Sequence, residues 1–181
     1  MALGGERMGI DKKKVIRQEQ AYPEVGKCIG KSETKTDALP SYKYLYALKS
    51  KIPKEVYAYY LRRILSYNTA NVSVEFRLKM LESVEREDIM YQEELDAIQS
   101  FGDSITVYRG ASKEEEKPGL SWSRKRYIAE SGNFYQGRLF VATIPTSAIL
   151  VYLSKDTDEE EIIAHVTENY EIEDEESFDI E

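Results

Sequence analysis

Residues 104–110 read "SITVYRG", and the pattern of the sequence changes at this point. The β-branched and aromatic residues of this stretch are typical of a strand. Before it, apolar residues recur at the spacings of amphipathic helices, whereas after it they form short runs separated by turn residues. We therefore predict an α+β fold, in which a mainly helical region, residues 1–103, precedes a strand-rich region.

Three segments of the first region carry the helical pattern. In the tyrosine-rich segment 39–67, Pro53 suits the first turn of a helix, and apolar residues recur at helical spacing from Val56 to Leu65. This pattern predicts a packed amphipathic helix rather than a surface on which bases stack. Segments 72–83 and 86–101 predict two more helices. Ser73 is the expected N-cap of the first of these, and Gly102 is the expected stop of the second.

The second region is expected to contain one short helix among its strands. The segment 123–134, "SRKRYIAESGNF", predicts that helix, with Ile128 and Ala129 turned inward. After the first strand, further strands are expected at 137–145, 147–153, 161–166 and 170–173. The acidic residues 174–181 are expected to fray as a tail.

The net charge is -8, but it is distributed unevenly. Residues 1–67 contain fourteen lysines and arginines against seven acidic residues, a balance of +7, and residues 68–181 carry -15. An acidic chain is a poor general binder of nucleic acid. The basic first third could still contact an acidic partner, although solvated surface side chains account for it more simply.

Composition excludes several classes of protein. No apolar run approaches the roughly 18 residues that cross a membrane, and residues 1–20 lack the apolar core of a secretory signal. Cys28 is the one cysteine and His165 the one histidine, which does not fit a disulfide framework or a zinc site. His165 falls in a predicted strand and is expected to be structural. We predict an intracellular protein with no membrane partner and no metal.

Four residues near the first strand have side chains suited to a phosphate-bearing ligand. Arg109 closes that strand, where its planar guanidinium could bind a phosphate. Gly110 leaves the adjacent backbone open to a flat ligand. Ser121 and Ser123, in "GLSWS" at 119–123, share one face if the chain there is extended. Each residue taken alone fits an ordinary salt bridge or turn equally well.

The run "DEEEII" at 158–163 adds carboxylates directly before an apolar segment. Glu159 and Glu161 are two residues apart and share a face if extended. A carboxylate beside a sugar can stabilise an oxocarbenium-like transition state, as in glycoside cleavage. Together with the arginine and the serines, these glutamates indicate cleavage of a glycosidic bond in a phosphate-bearing ligand.

The order "VYRG", "GLSWS", "EEEII" resembles the mono-ADP-ribosyltransferases of the arginine–serine–glutamate type. That family includes clostridial binary and exoenzyme toxins, vertebrate arginine-specific transferases and several phage-encoded enzymes. The resemblance covers residues 104–173. It implies an NAD-binding β-sandwich in this part of the chain. It also implies an enzyme that transfers ADP-ribose from NAD, its co-substrate, to a macromolecule and releases nicotinamide.

The resemblance also implies roles for the residues of the first two motifs. Arg109 would anchor the NAD phosphates, and the backbone of Gly110 would receive the nicotinamide amide. Ser121 would contact the nicotinamide ribose and orient the glutamate, with Ser123 as the second serine of the element. Trp122 stands where family members often have threonine, and we expect it to face the core.

The catalytic glutamate of the family directly precedes an apolar strand, which selects Glu161. It would bond the 2′-hydroxyl of the nicotinamide ribose and stabilise the developing cation. Phe134 and Tyr135 would flank the nicotinamide ring. Glu159, two residues before Glu161, is the residue type found in members that modify arginine, so a protein arginine is the favoured acceptor. If Glu160 were the catalytic residue, this inference about the acceptor would fall.

Two other functions remain open. The same site could hydrolyse NAD or ADP-ribosylate nucleic acid. Alternatively, the chain could be a non-catalytic protein-binding inhibitor that places its acidic tail and charged loops on a basic partner, and such a protein would lack NAD affinity. For the transferase we expect a cytoplasmic setting, which would be the host cytoplasm if a phage encodes it as an effector or toxin.

Overall fold

The structure, a computed structural model, describes residues 9–26, 38–65, 71–112, 119–131, 137–155, 160–167 and, for the backbone alone, 172–176. The chain divides into two compact units, Met1–Leu95 and Asp96–Glu181. The predicted boundary, between residues 103 and 104, falls later in the chain, because the end of the last helix before the sheet belongs to the second unit. Among the described residues, no helix is long and apolar enough to cross a membrane.

Helices make up the first unit. They are α1 Lys12–Glu19, α2 Leu39–Leu48, α3 Lys54–Leu65, α4 Val74–Leu81, α5 Arg86–Ile89 and α6 Gln92–Ser100, the last of which continues into the second unit. The carboxylate of Asp11 accepts from the backbone of Lys13 and Lys14 and so begins α1. The hydroxyl of Ser73 accepts from the backbone of Phe76, which confirms its predicted role as an N-cap.

The helix start predicted at Pro53 is confirmed, because Pro53 stands directly before α3, while α2 precedes it in the same segment 39–67. The predicted helix 86–101 is interrupted. The segment 86–101 forms α5 and α6, because Met90 takes an extended conformation with φ -113° and ψ 151°. Gly102 has φ 78°, a left-handed conformation that glycine adopts without penalty, and it ends α6 as predicted.

Three of the six tyrosines of α2 and α3 belong to the core. Tyr42, Tyr57 and Tyr60 are each buried, and the hydroxyl of Tyr42 donates to the backbone oxygen of Ile64 across 3.2 Å. Burying a ring with its hydroxyl bonded keeps the apolar gain without leaving a polar atom unpaired. The predicted packed amphipathic helix is therefore confirmed for α3.

A buried ion pair joins α3 to α6. The guanidinium of Arg62 makes two bonds, 2.7 Å and 2.8 Å long, to the carboxylate of Glu94, and both side chains are almost fully enclosed. The same carboxylate accepts from the backbone of Tyr91 at 2.9 Å, and the ring of Tyr91 lies 4.5 Å from the guanidinium carbon. Neither charge is left without partners, as burial requires.

The second unit is built on one antiparallel sheet. Its strands are β1 Ser104–Ser112, β2 Ser121–Ser123, β3 Gly137–Pro145, β4 Ile149–Leu153, β5 Glu161–Ala164 and β6 Ile172–Glu176, in the order β4-β5-β2-β1-β3-β6. Helix α7, Arg126–Ser131, follows β2, and a 3₁₀ turn, Thr146–Ala148, follows β3. The described strands thus show a mixed α+β fold, while the two-layer sandwich stays a prediction.

The last two strands differ from the prediction in their bounds, and β5 is buried on both faces. β6 extends to Glu176, so residues 174–176 of the predicted tail pair with β3, whereas 177–181 lie outside the described residues. β5 ends at Ala164, so the predicted position of His165 within this strand is wrong, and the residue is exposed. Ile162 and Ile163 are both fully buried, although successive residues of a strand point to opposite faces. Both faces of β5 are therefore covered.

The ion pair of the first unit gives a stability prediction. Replacing Glu94 by alanine leaves the Arg62 guanidinium buried without its anion, and we expect a loss of about 3–5 kcal/mol in the free energy of unfolding. Urea denaturation followed by circular dichroism would measure it. The control is Asp88→Ala, which removes the acid of a more exposed pair with Lys54, and it should cost about 1 kcal/mol or less. Equal losses for the two variants would contradict the account.

Candidate functional site

The centre of the sheet contains a break in strand pairing. β1 pairs with β3 along its whole length, from Ser104 to Ser112, but its register with β2 is the single pair Tyr108 and Ser123. If pairing continued by the antiparallel rule, Gly110 would lie opposite Ser121. Instead, the guanidinium of Arg109 donates to the backbone oxygen of Ser121 across 3.0 Å. At this position the side chain of β1, rather than its backbone, donates a hydrogen bond to β2.

Gly119 makes room for this arginine. A Cβ at position 119 would lie 3.0 Å from Nη2 of Arg109 and 3.1 Å from its Cζ, closer than side chains normally pack. The backbone oxygen of Gly119 accepts from the indole Nε1 of Trp122 at 3.2 Å. Trp122 is 2% exposed, which confirms the prediction that it faces the core. The turn before β2 is therefore fixed by the hydrogen bond from the indole of Trp122, and it also contacts the guanidinium of Arg109.

The register of β2 and β5 brings a serine and a glutamate together. Ser123 lies directly opposite Glu161, and Ser121 lies opposite Ile163. Opposite residues of an antiparallel pair share a face, with Cβ atoms roughly 4.5–5.5 Å apart. Ser121, Ser123 and Glu161 therefore occupy one face of these two strands, as the sequence predicted for the serines. Glu161 and Ser121 are half-buried, so solvent reaches both.

The side chain of Arg109 lies on the other face of the sheet from Ser121, Ser123 and Glu161. Along β1 it shares a face with Val107 and Ala111, and this face is opposite to that of Tyr108 and hence of Ser123. Its guanidinium reaches β2 only because the side chain is long and pairing between the strands has ended. The predicted residues are therefore neighbours around the break rather than a single cluster on one face.

The hydroxyl of Ser123 already has a structural role. It accepts from the backbone of Lys125 at 3.0 Å, at the turn that leads into α7, and the residue is 7% exposed. This contact between residues i and i+2 is the geometry of a serine turn, here directly before α7. Ser121, which is half-buried, is therefore better placed than Ser123 to contact a ligand.

Glu160, which directly precedes Glu161, is paired with two cations. The carboxylate of Glu160 lies 3.1 Å from the guanidinium of Arg124 and 3.3 Å from Nζ of Lys125. Its backbone has φ 47°, a left-handed conformation that is uncommon for glutamate. Glu161 begins β5 directly after it. The sequence did not indicate the two cations, although the basic run after "SWS" was a signal that could have drawn attention to them.

The guanidinium of Arg124 stacks on one ring of an aromatic pair. The guanidinium carbon lies 4.1 Å from the centre of the Phe101 ring, and that ring meets Tyr152 edge-on at 5.3 Å. Burial raises the pKa of the Tyr152 hydroxyl, against the opposing effect of its hydrogen bond to Arg124. Tyr152 is therefore a neutral phenol at physiological pH.

Four predicted site residues remain, of which the structure describes one. Glu159, Phe134 and Tyr135 lie outside the described residues. Gly110 is buried and pairs with Leu139 of β3. Within the described ranges, no group of three or more histidine, cysteine, aspartate or glutamate side chains could hold a metal ion.

No protein-family model, curated protein or solved structure matches this chain. The resemblance to the ADP-ribosyltransferases therefore rests on the motifs in the sequence. The geometry around the break in the sheet has to be interpreted on its own chemistry.

The contact between Gly119 and Arg109 can be tested by a double-mutant cycle. A methyl group at position 119 would push the guanidinium away from Ser121, and a hydrogen bond from a charged group is worth about 1.5–3 kcal/mol. We expect Gly119→Ala to cost about 1–2 kcal/mol of unfolding free energy in the wild-type chain. In an Arg109→Ala background it should be neutral or slightly stabilising. Additive effects would mean that the two residues do not interact.

Proposed function

We propose that the protein is an NAD-dependent mono-ADP-ribosyltransferase that transfers ADP-ribose to a macromolecular acceptor, with a protein side chain favoured. The observation that carries the proposal is the position of Glu161. It begins β5 opposite Ser123, one strand away from the point at which Arg109 bonds the backbone of Ser121. The ADP-ribosyltransferase core of the fold, including its two-layer sandwich, is part of this proposal.

The reaction separates charge in a way that these residues suit. The bond between C1′ of the ribose and nitrogen of nicotinamide breaks, and its electron pair leaves with nicotinamide. The ribose carbon becomes cationic until an acceptor atom bonds to it and loses a proton. A carboxylate at Glu161 would stabilise that cation, which exists only in the transition state. Glu161 should therefore contribute more to kcat than to binding of NAD.

Binding would involve the other predicted residues. Arg109 would hold the phosphates through the nitrogens of its fork, while one nitrogen keeps the bond to Ser121. Ser121 would contact the nicotinamide ribose, and the backbone of Gly110 would receive the amide.

The acceptor follows from the segment before β5. The favoured acceptor is an arginine side chain, an inference that depends on Glu159 being two residues before the catalytic glutamate. This inference requires Glu161, and not Glu160, to be that catalytic residue; Glu160 forms ion pairs with Arg124 and Lys125. The proposal includes action in a cytoplasm, that of the host if a phage encodes the protein.

The experiment measures nicotinamide release and labelling of protein from labelled NAD in a bacterial lysate. Glu161→Gln keeps the shape of the side chain but removes its charge, so we expect kcat to fall by about 10²–10³-fold. NAD affinity should change little. The matched control is Glu130→Gln, the same substitution in an exposed pair with Arg126 on α7, and it should retain activity.

Three outcomes separate the possible functions. Glu161-dependent label on a discrete protein band supports the transferase. Nicotinamide release without label, or label on nucleic acid, would replace protein transfer by hydrolysis or nucleic-acid modification at the same site. A wild-type protein that does not bind NAD would contradict the proposal and favour a non-catalytic inhibitor.

A further inference from the structure

Glu160 is held in a conformation that its own chemistry disfavours. Its φ of 47° lies in the left-handed region, where a side chain crowds the backbone and glycine is the usual occupant. Glu160 is the one non-glycine residue with positive φ among the residues the structure describes. Such a conformation persists only where the surroundings impose it, and it often occurs next to functional residues.

The surroundings that impose it are three contacts from one short segment. The guanidinium of Arg124 lies 3.1 Å from one carboxylate oxygen of Glu160, and Nζ of Lys125 lies 3.3 Å from the other. The backbone N–H of Arg124 also donates to the backbone oxygen of Glu160 at 3.3 Å. The side chain and the main chain of Glu160 are therefore both attached to residues 124–125.

Arg124 is itself fixed. Its guanidinium lies over the ring of Phe101 at 4.1 Å, a cation–π distance, and it bonds the hydroxyl of Tyr152, which is 4% exposed. Planar guanidinium groups suit such stacking, and a lysine would not reproduce it. The cation that holds Glu160 is therefore part of the packed second unit.

These contacts connect the proposed catalytic glutamate, Glu161, with the residues that follow β2. Lys125 donates its backbone N–H to Ser123, and Ser123 lies opposite Glu161 in the register of β2 and β5. The residues directly after β2 thus meet the residue directly before β5. Any movement of Glu160 would change the direction in which the chain enters β5 and presents the Glu161 carboxylate.

We propose that Arg124 is a positioning residue, which acts through Glu160 to orient the carboxylate of Glu161. Lys125 assists it as a second point charge. This inference rests on the proposed function, because it assigns the device a role in the same reaction. Arg124 does not touch the reacting atoms in this account, and its contribution is to the geometry of the group that does.

The prediction concerns kcat, because a misdirected carboxylate loses its effect mainly in the transition state. A displacement of about 1 Å can reduce a rate by about 10²-fold. We expect Arg124→Met to lower kcat for nicotinamide release by about 10–100-fold and to leave the KM for NAD nearly unchanged. Arg124→Lys should recover part of the loss, since it restores the charge but not the planar fork.

Glu160→Gly separates positioning from folding. Glycine accepts the left-handed conformation without strain, so the variant should be as stable as the wild type or more stable. It nevertheless lacks the carboxylate that Arg124 and Lys125 hold, and kcat should fall as in Arg124→Met. Thermal unfolding and steady-state kinetics on the same preparations measure both. A merely structural role for Glu160 would give reduced stability with unchanged kcat.

Arg126→Met is the matched control, because Arg126 lies on the exposed part of α7 and pairs with Glu130 at 2.8 Å. It should leave kcat unchanged. If Glu161→Gln abolishes turnover while Arg124→Met and Glu160→Gly keep the wild-type kcat, the positioning role is wrong and the proposed function stands. If Glu161→Gln itself retains turnover, the proposed function fails and the positioning role fails with it.

Discussion

The hydrogen bond from Arg109 to the backbone oxygen of Ser121 is the interaction on which the site depends. Two central strands of an antiparallel sheet would ordinarily pair along their common length, and a break leaves backbone groups unpaired. Here the guanidinium supplies the missing donor at 3.0 Å. The sheet can therefore stay open between β1 and β2 without leaving that oxygen unsatisfied.

The opening determines which residues can act together. The register of β1 and β2 consists of the single pair Tyr108 and Ser123, and the backbone oxygen of Ser121 accepts from the Arg109 side chain instead of from the backbone of β1. On the other edge of β2, regular pairing with β5 continues and fixes Glu161 against Ser123. β2 therefore pairs regularly along its edge with β5, but at a single position along its edge with β1. The proposed catalytic glutamate lies on the regular edge, where its position is better defined.

The sequence predicted much of the second unit because its local signals agree with one another. The segment 137–145 forms β3 with the predicted bounds, and Gly102 ends α6 as expected. The division of 86–101 at Met90 was not predictable. The backbone N–H of Tyr91 donates to the carboxylate of Glu94 three residues later, a local contact that begins a new helix. The bond of the same carboxylate to Arg62 of α3 is a contact between distant residues, which a local pattern does not reveal.

The site was predicted as a set of residue types but not as a geometry. Spacing placed the two serines on one face, yet nothing local indicated that pairing would stop after Tyr108 or that Arg109 would lie on the other face. The separate roles of Glu160 and Glu161 depend on Arg124 and Lys125, which are distant in sequence. Such contacts between distant residues cannot be derived from a pattern of short motifs.

The most direct test of the account is hydrogen–deuterium exchange of the Glu161→Gln variant with and without NAD. This variant should bind NAD without consuming it. The account predicts slower exchange on NAD binding in the peptides that contain Arg109 and Gly110 and in those that contain Ser121 and position 161, with no change in α2 and α3. Protection confined to other segments, or none at saturating NAD, would contradict the claim that the break between β1 and β2 is an NAD site.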